Sequence, residues 1–297
     1  MLNFNQLRAF FEAARAGSFT RAAEALCVTQ PAVTGQVRAL EASLGLKLFR
    51  RRGRRMVLTE AGALLFREAE KVFALEREIE HLVAEIRDLR RGLLKVGTTK
   101  TYARYLMPDI LARFHAVHPG IRIVLDEGAS AEVLRSVVEG RNELAVVGLW
   151  QPVEGLCCTP FRREEVVLFC APGHPLAGRH GVEVADLGGE LLVLKEEGST
   201  TREVVRRLFR RHGVSPNVLV ETSNLEFIKD MVARGEGVSF LVRSAIGEEL
   251  RTGRFVEVPL ADGPIRLEVY TVHPDPAVLS PAARAFLDVL EDSREYP

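Results

Sequence analysis

Between Ser18 and Glu41 the chain reads SFTRAAEALCVTQPAVTGQVRALE, and Gln30, Thr34, Gln36 and Arg38 fall on the outward side of a helical spacing whose inward positions are Val33, Val37 and Leu40. Amide, hydroxyl and guanidinium groups at the front of a helix are the groups that bond base edges in a major groove and the phosphates beside it. Just downstream, Arg50, Arg51, Arg52, Arg54 and Arg55 surround Gly53 between apolar flanks, which predicts a small basic hairpin. Arginines there would hold phosphates or enter a minor groove. The charge is local: residues 1–58 carry ten Lys and Arg against three Asp and Glu, an excess of +7, in a 297-residue chain with 40 basic and 40 acidic residues. Two ordinary amphipathic helices would give the same spacing, but not the local excess of charge.

A second set of polar residues lies at junctions where a short apolar run passes into a helical pattern. Thr98-Thr99-Lys100-Thr101 and Glu197-Gly198-Ser199-Thr200-Thr201-Arg202 supply hydroxyls, backbone amides and cations, and Gly128-Ala129-Ser130 and Thr222-Ser223-Asn224 add further donors. At the carboxyl ends of strands in an open α/β sheet such groups suit an anionic ligand. The candidates are Thr99, Lys100, Thr101, Ser130, Ser199, Thr200, Thr201, Arg202 and Ser223. Serine and threonine also cap helices where no ligand binds, so both roles stay open.

Catalytic signatures are absent. The sequence has no HExxH, GxSxG or GxxxxGK, and its seven His and four Cys show no zinc spacing. Neither an enzyme nor a metal or cofactor site is expected. Cys27 and Cys170 read as small core residues, and the adjacent Cys157 and Cys158 would make only a strained disulfide. Unpatterned cysteines, no secretory leader and no apolar run of membrane length predict a cytoplasmic protein without membrane contact.

The elements that must position these groups follow from the same sequence. Ser18 or Thr20 caps a first short helix, Cys27 and Val28 make a sharp turn, and Thr29 caps a second helix with Pro31 in its first turn. From residue 59 to 91 a charged helix carries Val72, Leu75, Ile79, Leu82, Ile86 and Leu89 at alternating steps of three and four. That seam needs a partner: a second copy of the chain, or the downstream domain. Residues 92–297 alternate strand and helix signals twice, with strands at 93–97, 121–125, 144–149, 166–170, 191–194, 218–221, 238–242 and 267–272. They predict two α/β lobes, the first from 92–163 and 268–297 and the second from 164–267. Trp150 lines the cleft between them or packs in the core or at a lobe edge.

The run FNQLRAFFEAARAGSFTRAAEALCVTQPAVTGQVRALEASLGLKLFRRRGRRMVLTEAG closely resembles the winged helix-turn-helix of the LysR-type transcriptional regulators. FHAVHPGIRI, VVEGRNELAVVG, PGHPLA and VARGEGVSFL resemble their two-lobed, periplasmic-binding-protein-like effector domain. The resemblance implies an α+β multidomain chain: a DNA-binding domain over 1–58, a linker and dimerisation helix over 59–91, and an effector domain over 92–297. It places Thr29, Gln30, Pro31 and Thr34 at the opening of the DNA-reading helix, Arg38 at the backbone and Arg51 or Arg52 in the wing. With Gln36 and Arg54 these make the candidate DNA-binding set. Gly35 departs from the family's larger polar residue, which either lets the backbone approach DNA or forfeits a base contact. The expected partners are double-stranded DNA, a small-molecule effector and a second copy of the chain, as homodimer or dimer of dimers, with RNA polymerase as a further candidate.

Overall fold

A computed structural model describes residues 2–52 and 55–294, and the chain divides into two compact units, Met1–Glu85 and Ile86–Pro297. In the first unit, α1 (Phe4–Ala16), α2 (Phe19–Ala25) and α3 (Gln30–Leu44) enclose Phe10, Ala22, Ala23, Val33, Val37 and Leu40. The Ser18 hydroxyl, not that of Thr20, caps α2 by accepting from the Arg21 amide at 3.4 Å. Cys27 takes a left-handed conformation (φ 54°) to make the turn, which leaves its thiol exposed and not in the core. Thr29 occupies the cap position of α3 without a side-chain cap bond, and Pro31 sits in the first turn, where its missing amide hydrogen has no helical partner to lose.

The strands β1 (Phe49–Arg52) and β2 (Arg55–Leu58) pair antiparallel from Phe49↔Leu58 to Arg52↔Arg55, the basic hairpin read from the sequence. The helix α4 (Glu60–Arg87) follows, 28 residues and about 42 Å long at 1.5 Å per residue. Its first turn passes so close to β1 that a Cβ on Gly62 would lie 2.1 Å from the Leu48 carbonyl oxygen. Ala69 and Phe73 are buried, with Phe11 stacked on Phe66 at 5.2 Å and tilted against Phe73 at 4.8 Å. Leu75, Ile79, Leu82, Val83 and Ile86 remain exposed. The sixth seam position differs from the sequence reading. Leu89 lies beyond the helix end with φ 57° and packs against the core of the second unit, because the chain must turn there into the first strand of the sheet.

The second unit begins with β3 (Gly92–Thr99), α5 (Lys100–Tyr105), α6 (Met107–Val117), β4 (Ile121–Gly128), α7 (Ser130–Val138), β5 (Leu144–Leu149) and β6 (Cys157–Cys170). It continues through β7 (Leu191–Lys195), α8 (Thr200–Arg211), β8 (Asn217–Thr222), α9 (Leu225–Ala233), β9 (Val238–Val242), α10 (Arg243–Thr252), β10 (Val256–Glu257), β11 (Ile265–His273) and α11 (Pro281–Asp292). Among the described residues one sheet runs β4-β3-β5-β11-β6-β9-β7-β8, with β10 beside β6. Its two ends are parallel, β3 with β4 and β5 and β7 with β8 and β9, as single-helix crossovers require. The middle is an antiparallel ribbon of β6 and β11, paired from Ile265↔Val166 to His273↔Cys157.

That ribbon joins two hydrophobic cores. Phe161 and Val269 pack with Phe114 and Phe286 in lobe I, whereas Phe169 and Leu267 pack with Phe209 and Phe240 in lobe II. The sequence reading found only the second half of β6. The first half holds Arg162-Arg163-Glu164-Glu165, whose polarity hides a strand held by cross-strand pairs such as Arg163 with Glu268 at 2.8 Å. Within β6 the adjacent Cys157 and Cys158 are free thiols, and alternation along a strand turns them to opposite faces. Cys170 is buried, and desolvation pushes its thiol up to about 11.

Candidate functional site

Two surfaces gather the residues singled out from the sequence. On the first unit, Thr29, Gln30, Pro31, Gln36 and Arg38 are exposed along α3 and Thr34 is half-buried. The Gln30 amide donates to the Thr34 hydroxyl at 3.0 Å, and that hydroxyl donates to the Gln30 carbonyl at 3.0 Å, so both side chains are preset on the front turn. A Cβ on Gly35 would meet nothing within 4 Å, so no packing within the chain demands a glycine there. Arg51 and Arg52 are exposed on β1; Arg54 lies outside the described residues.

A residue the sequence reading passed over fixes the hairpin to the helix. Glu41 is buried near the end of α3 and accepts from the amides of Leu48 at 2.8 Å and Phe49 at 3.2 Å, and from the Lys47 ammonium at 2.8 Å. Burial alone would raise its pKa, but these donors outweigh burial and hold the carboxyl below the usual range. A carboxylate inside a basic segment is legible as an anchor only once the segment's fold is known.

The second surface lies between the lobes, at the carboxyl ends of β3, β4, β5 and β7. Thr99, Lys100, Thr101, Ser130, Ser199, Thr200 and Thr201 line one cleft together with Lys195 and Glu196. Thr99 caps α5 through the Tyr102 amide at 3.3 Å. Ser199 stands at the cap position of α8 without a side-chain cap bond. Thr200 donates across the lobes to the Gly148 carbonyl at 2.7 Å, and the Ala131 amide donates to the Gly198 carbonyl at 3.3 Å. The space left between these groups is about 20 Å³, close to the room one water needs. An adjoining cavity of about 610 Å³ shares Ser130, Ser199 and Thr200 as its wall and is also lined by Trp150.

Two predicted residues are placed differently. Arg202 faces the adjoining cavity and pairs with Glu221. Ser223 stands behind the cleft, where its hydroxyl accepts from Lys100 at 2.9 Å and its carbonyl accepts from Lys195 at 3.2 Å.

Lys195 is the group the sequence reading missed, because the last residue of an apolar strand gives no sign that its side chain turns into a cleft. It is 6 % exposed. Burial pulls its pKa down, the Glu196 carboxylate at 3.2 Å offsets this in part, and the Lys100 charge adds to the lowering. Two ammonium groups thus meet at Ser223, opposite one carboxylate, beside the amino termini of α7 and α8. Such an arrangement favours negative charge.

A helix-turn-helix with a basic hairpin, followed by a two-lobed α/β domain, defines a DNA-binding regulator with a ligand-binding body. The model of the bacterial regulatory helix-turn-helix protein, lysR family, matches residues 4–63, and that of the LysR substrate binding domain matches residues 87–295. The chain belongs to the LysR family of transcriptional regulators. It is 34 % identical over 285 residues to the RuBisCO operon transcriptional regulator of Allochromatium vinosum, covering 96 % of this chain and 94 % of that one. A full-length OxyR variant from Pseudomonas aeruginosa superposes with a TM-score of 0.78 at 25 % identity, covering 99 % of both chains. The CcmR regulatory domain of Synechocystis, solved in complex with 2-PG, superposes with a TM-score of 0.64 at 28 % identity, covering 69 % of this chain and 98 % of that one. The family is one of regulators and not of enzymes. No described helix is long and apolar enough to cross a membrane.

Proposed function

We propose that this regulator acts in the cytoplasm without a cofactor, reads its operator through Gln30, Thr34 and Arg38 with Arg51 and Arg52 on flanking phosphates, and is controlled by a small anion bound between the lobes. The observation that carries the anionic reading is Lys195: a buried ammonium, facing a second lysine, at a cleft walled by hydroxyls and helix starts. The 2-PG complex of CcmR supports the same class of ligand. The exposed apolar stripe of α4 supports pairing with a second copy, which presents two readers to two half-sites.

An anion that binds one arrangement of the lobes better than another shifts the equilibrium between them and so the spacing or angle of the paired readers. Calorimetry with 2-PG and a panel of neutral and cationic metabolites, together with footprinting on the adjacent intergenic DNA with and without each compound, tests this. Binding of anions alone, with an altered footprint, is the expected result. Binding confined to neutral or cationic compounds overturns it.

A further inference from the structure

Behind the cleft, α5 is fastened to lobe II in three places among the described residues. Lys100 reaches Ser223 at 2.9 Å, Arg104 reaches Glu226 at 2.8 Å, and the Tyr105 hydroxyl accepts from Lys229 at 2.9 Å. Thus α5 runs from the loop before α9 onto the first two turns of α9. The three contacts are not equal. The Arg104–Glu226 pair joins two side chains that are each about half exposed, and adds little. The Lys100–Ser223 bond ties up a side chain that lines the cleft, so an anion drawing on Lys100 competes with it.

The third contact is buried. Lys229 is 2 % exposed, donates to Glu249 of α10 at 2.6 Å, and lies 5.2 Å from the Tyr105 ring centre. An ammonium has three protons to place. Lobe II supplies Glu249, with the Glu226 carboxylate 3.8 Å away, and the further close acceptor is the Tyr105 hydroxyl from the helix that starts in lobe I. Burial alone would push the Lys229 pKa down; the bonds from Glu249 and Tyr105 outweigh it and keep the group charged. Tyr105 packs on the lobe II core, while its neighbour Leu106 is buried in that of lobe I, so α5 bridges the two.

We propose that Tyr105 and Lys229 are a positioning pair, which the effector does not touch, that holds α5 against lobe II and thereby keeps Thr99, Lys100 and Thr101 facing Ser199 and Thr200. The proposal rests on the reading that the effector binds between those segments. When an anion takes Lys100 from Ser223, the buried pair keeps α5 in register. Separating the lobes would leave a buried donor without its acceptor.

Tyr105→Phe removes the hydroxyl and keeps the ring. In the full-length chain it is expected to weaken 2-PG binding roughly 10-fold or more, the effect of one hydrogen bond to a charged group. It should also broaden the distance distribution between spin labels at Val138→Cys in lobe I and Glu248→Cys in lobe II, in a background with Cys27, Cys157 and Cys158 replaced by Ser. Lys229→Met, with its circular dichroism checked, should move both readouts in the same direction. A Tyr105→Phe chain with wild-type affinity and an unchanged distribution overturns the proposal, even if its Tm falls, since that is what mere packing predicts. If the wild-type chain binds no 2-PG, the effector reading fails instead, and the distance distributions still decide whether the pair holds the lobes together.

Discussion

Replacing Lys195 with Met separates what that side chain does for folding from what it does for ligand. In the free protein the ammonium is desolvated, and its partners, the Ser223 carbonyl and the Glu196 carboxylate, both lie 3.2 Å away. Glu196 keeps a side-chain exposure of 23 %, so it can turn to water when its partner is gone. Because burial outweighs the Glu196 pairing and holds the Lys195 pKa down, the ammonium is a net cost to the folded chain, and an apolar chain of similar length is expected to leave Tm unchanged or raise it by roughly 2–4 °C, the equivalent of about 1 kcal/mol in a domain of this size. The same change deletes a charge-assisted bond to the anion, costing about 1.5–3 kcal/mol, or roughly a 10- to 150-fold loss in Kd. The pH dependence follows from the lowered pKa. Between the native value and the ordinary 10.5 the unfolded chain binds more protons than the folded one, so wild-type stability rises with pH across that window. Anion affinity falls as Lys195 loses its proton, and Lys195→Met removes both trends. Differential scanning calorimetry and titration with 2-PG test this directly. A lowered Tm with undiminished affinity would refute the reasoning, because Lys195 would then be a structural lysine.

Gln30→Ala or Thr34→Ala should reduce preference for the operator over random DNA by about 1–3 kcal/mol, whereas Arg51→Ala should weaken both alike and reduce the salt slope by about 1; fluorescence anisotropy over a salt series distinguishes them. Glu41→Gln should destabilise the first unit by about 1.5–3 kcal/mol in thermal melts, since it weakens three charge-assisted bonds in a buried site. Because the Glu41 pKa is lowered, its contribution is complete above the ordinary 4.5 and is lost as pH falls through the native value, so the gap between wild type and variant should close in acid. Leu75→Asp or Ile79→Asp on α4 should convert the assembly to monomers in analytical ultracentrifugation and lower operator affinity, without loss of helix content.

The reading end of the molecule was legible because its signals are short-range. A cap, a turn, a proline in the first turn and apolar spacing are all local, and α2, α3 and the hairpin lie where those signals put them. The lobes were legible from the alternation of apolar runs with helical patterns. What escaped depends on long-range pairing. The polar half of β6 looks like a loop until β11 supplies opposite charges alongside it. Lys195, Lys229 and Tyr105 belong to no local motif, and only the fold brings them to Ser223, to Glu249 and to each other. The pairing of Arg202 escaped for a related reason: its partner Glu221 comes from β8, nineteen residues on.

The ribbon of β6 and β11 threads the polypeptide from one half to the other and back, so the second half is a single stretch set into the first, which is encoded in two separate pieces. A descendant cannot exchange one half by a single recombination event without severing the ribbon. Point changes along the cleft walls leave that ribbon whole, and so alter what the cleft accepts without disturbing the strands that knit the halves together.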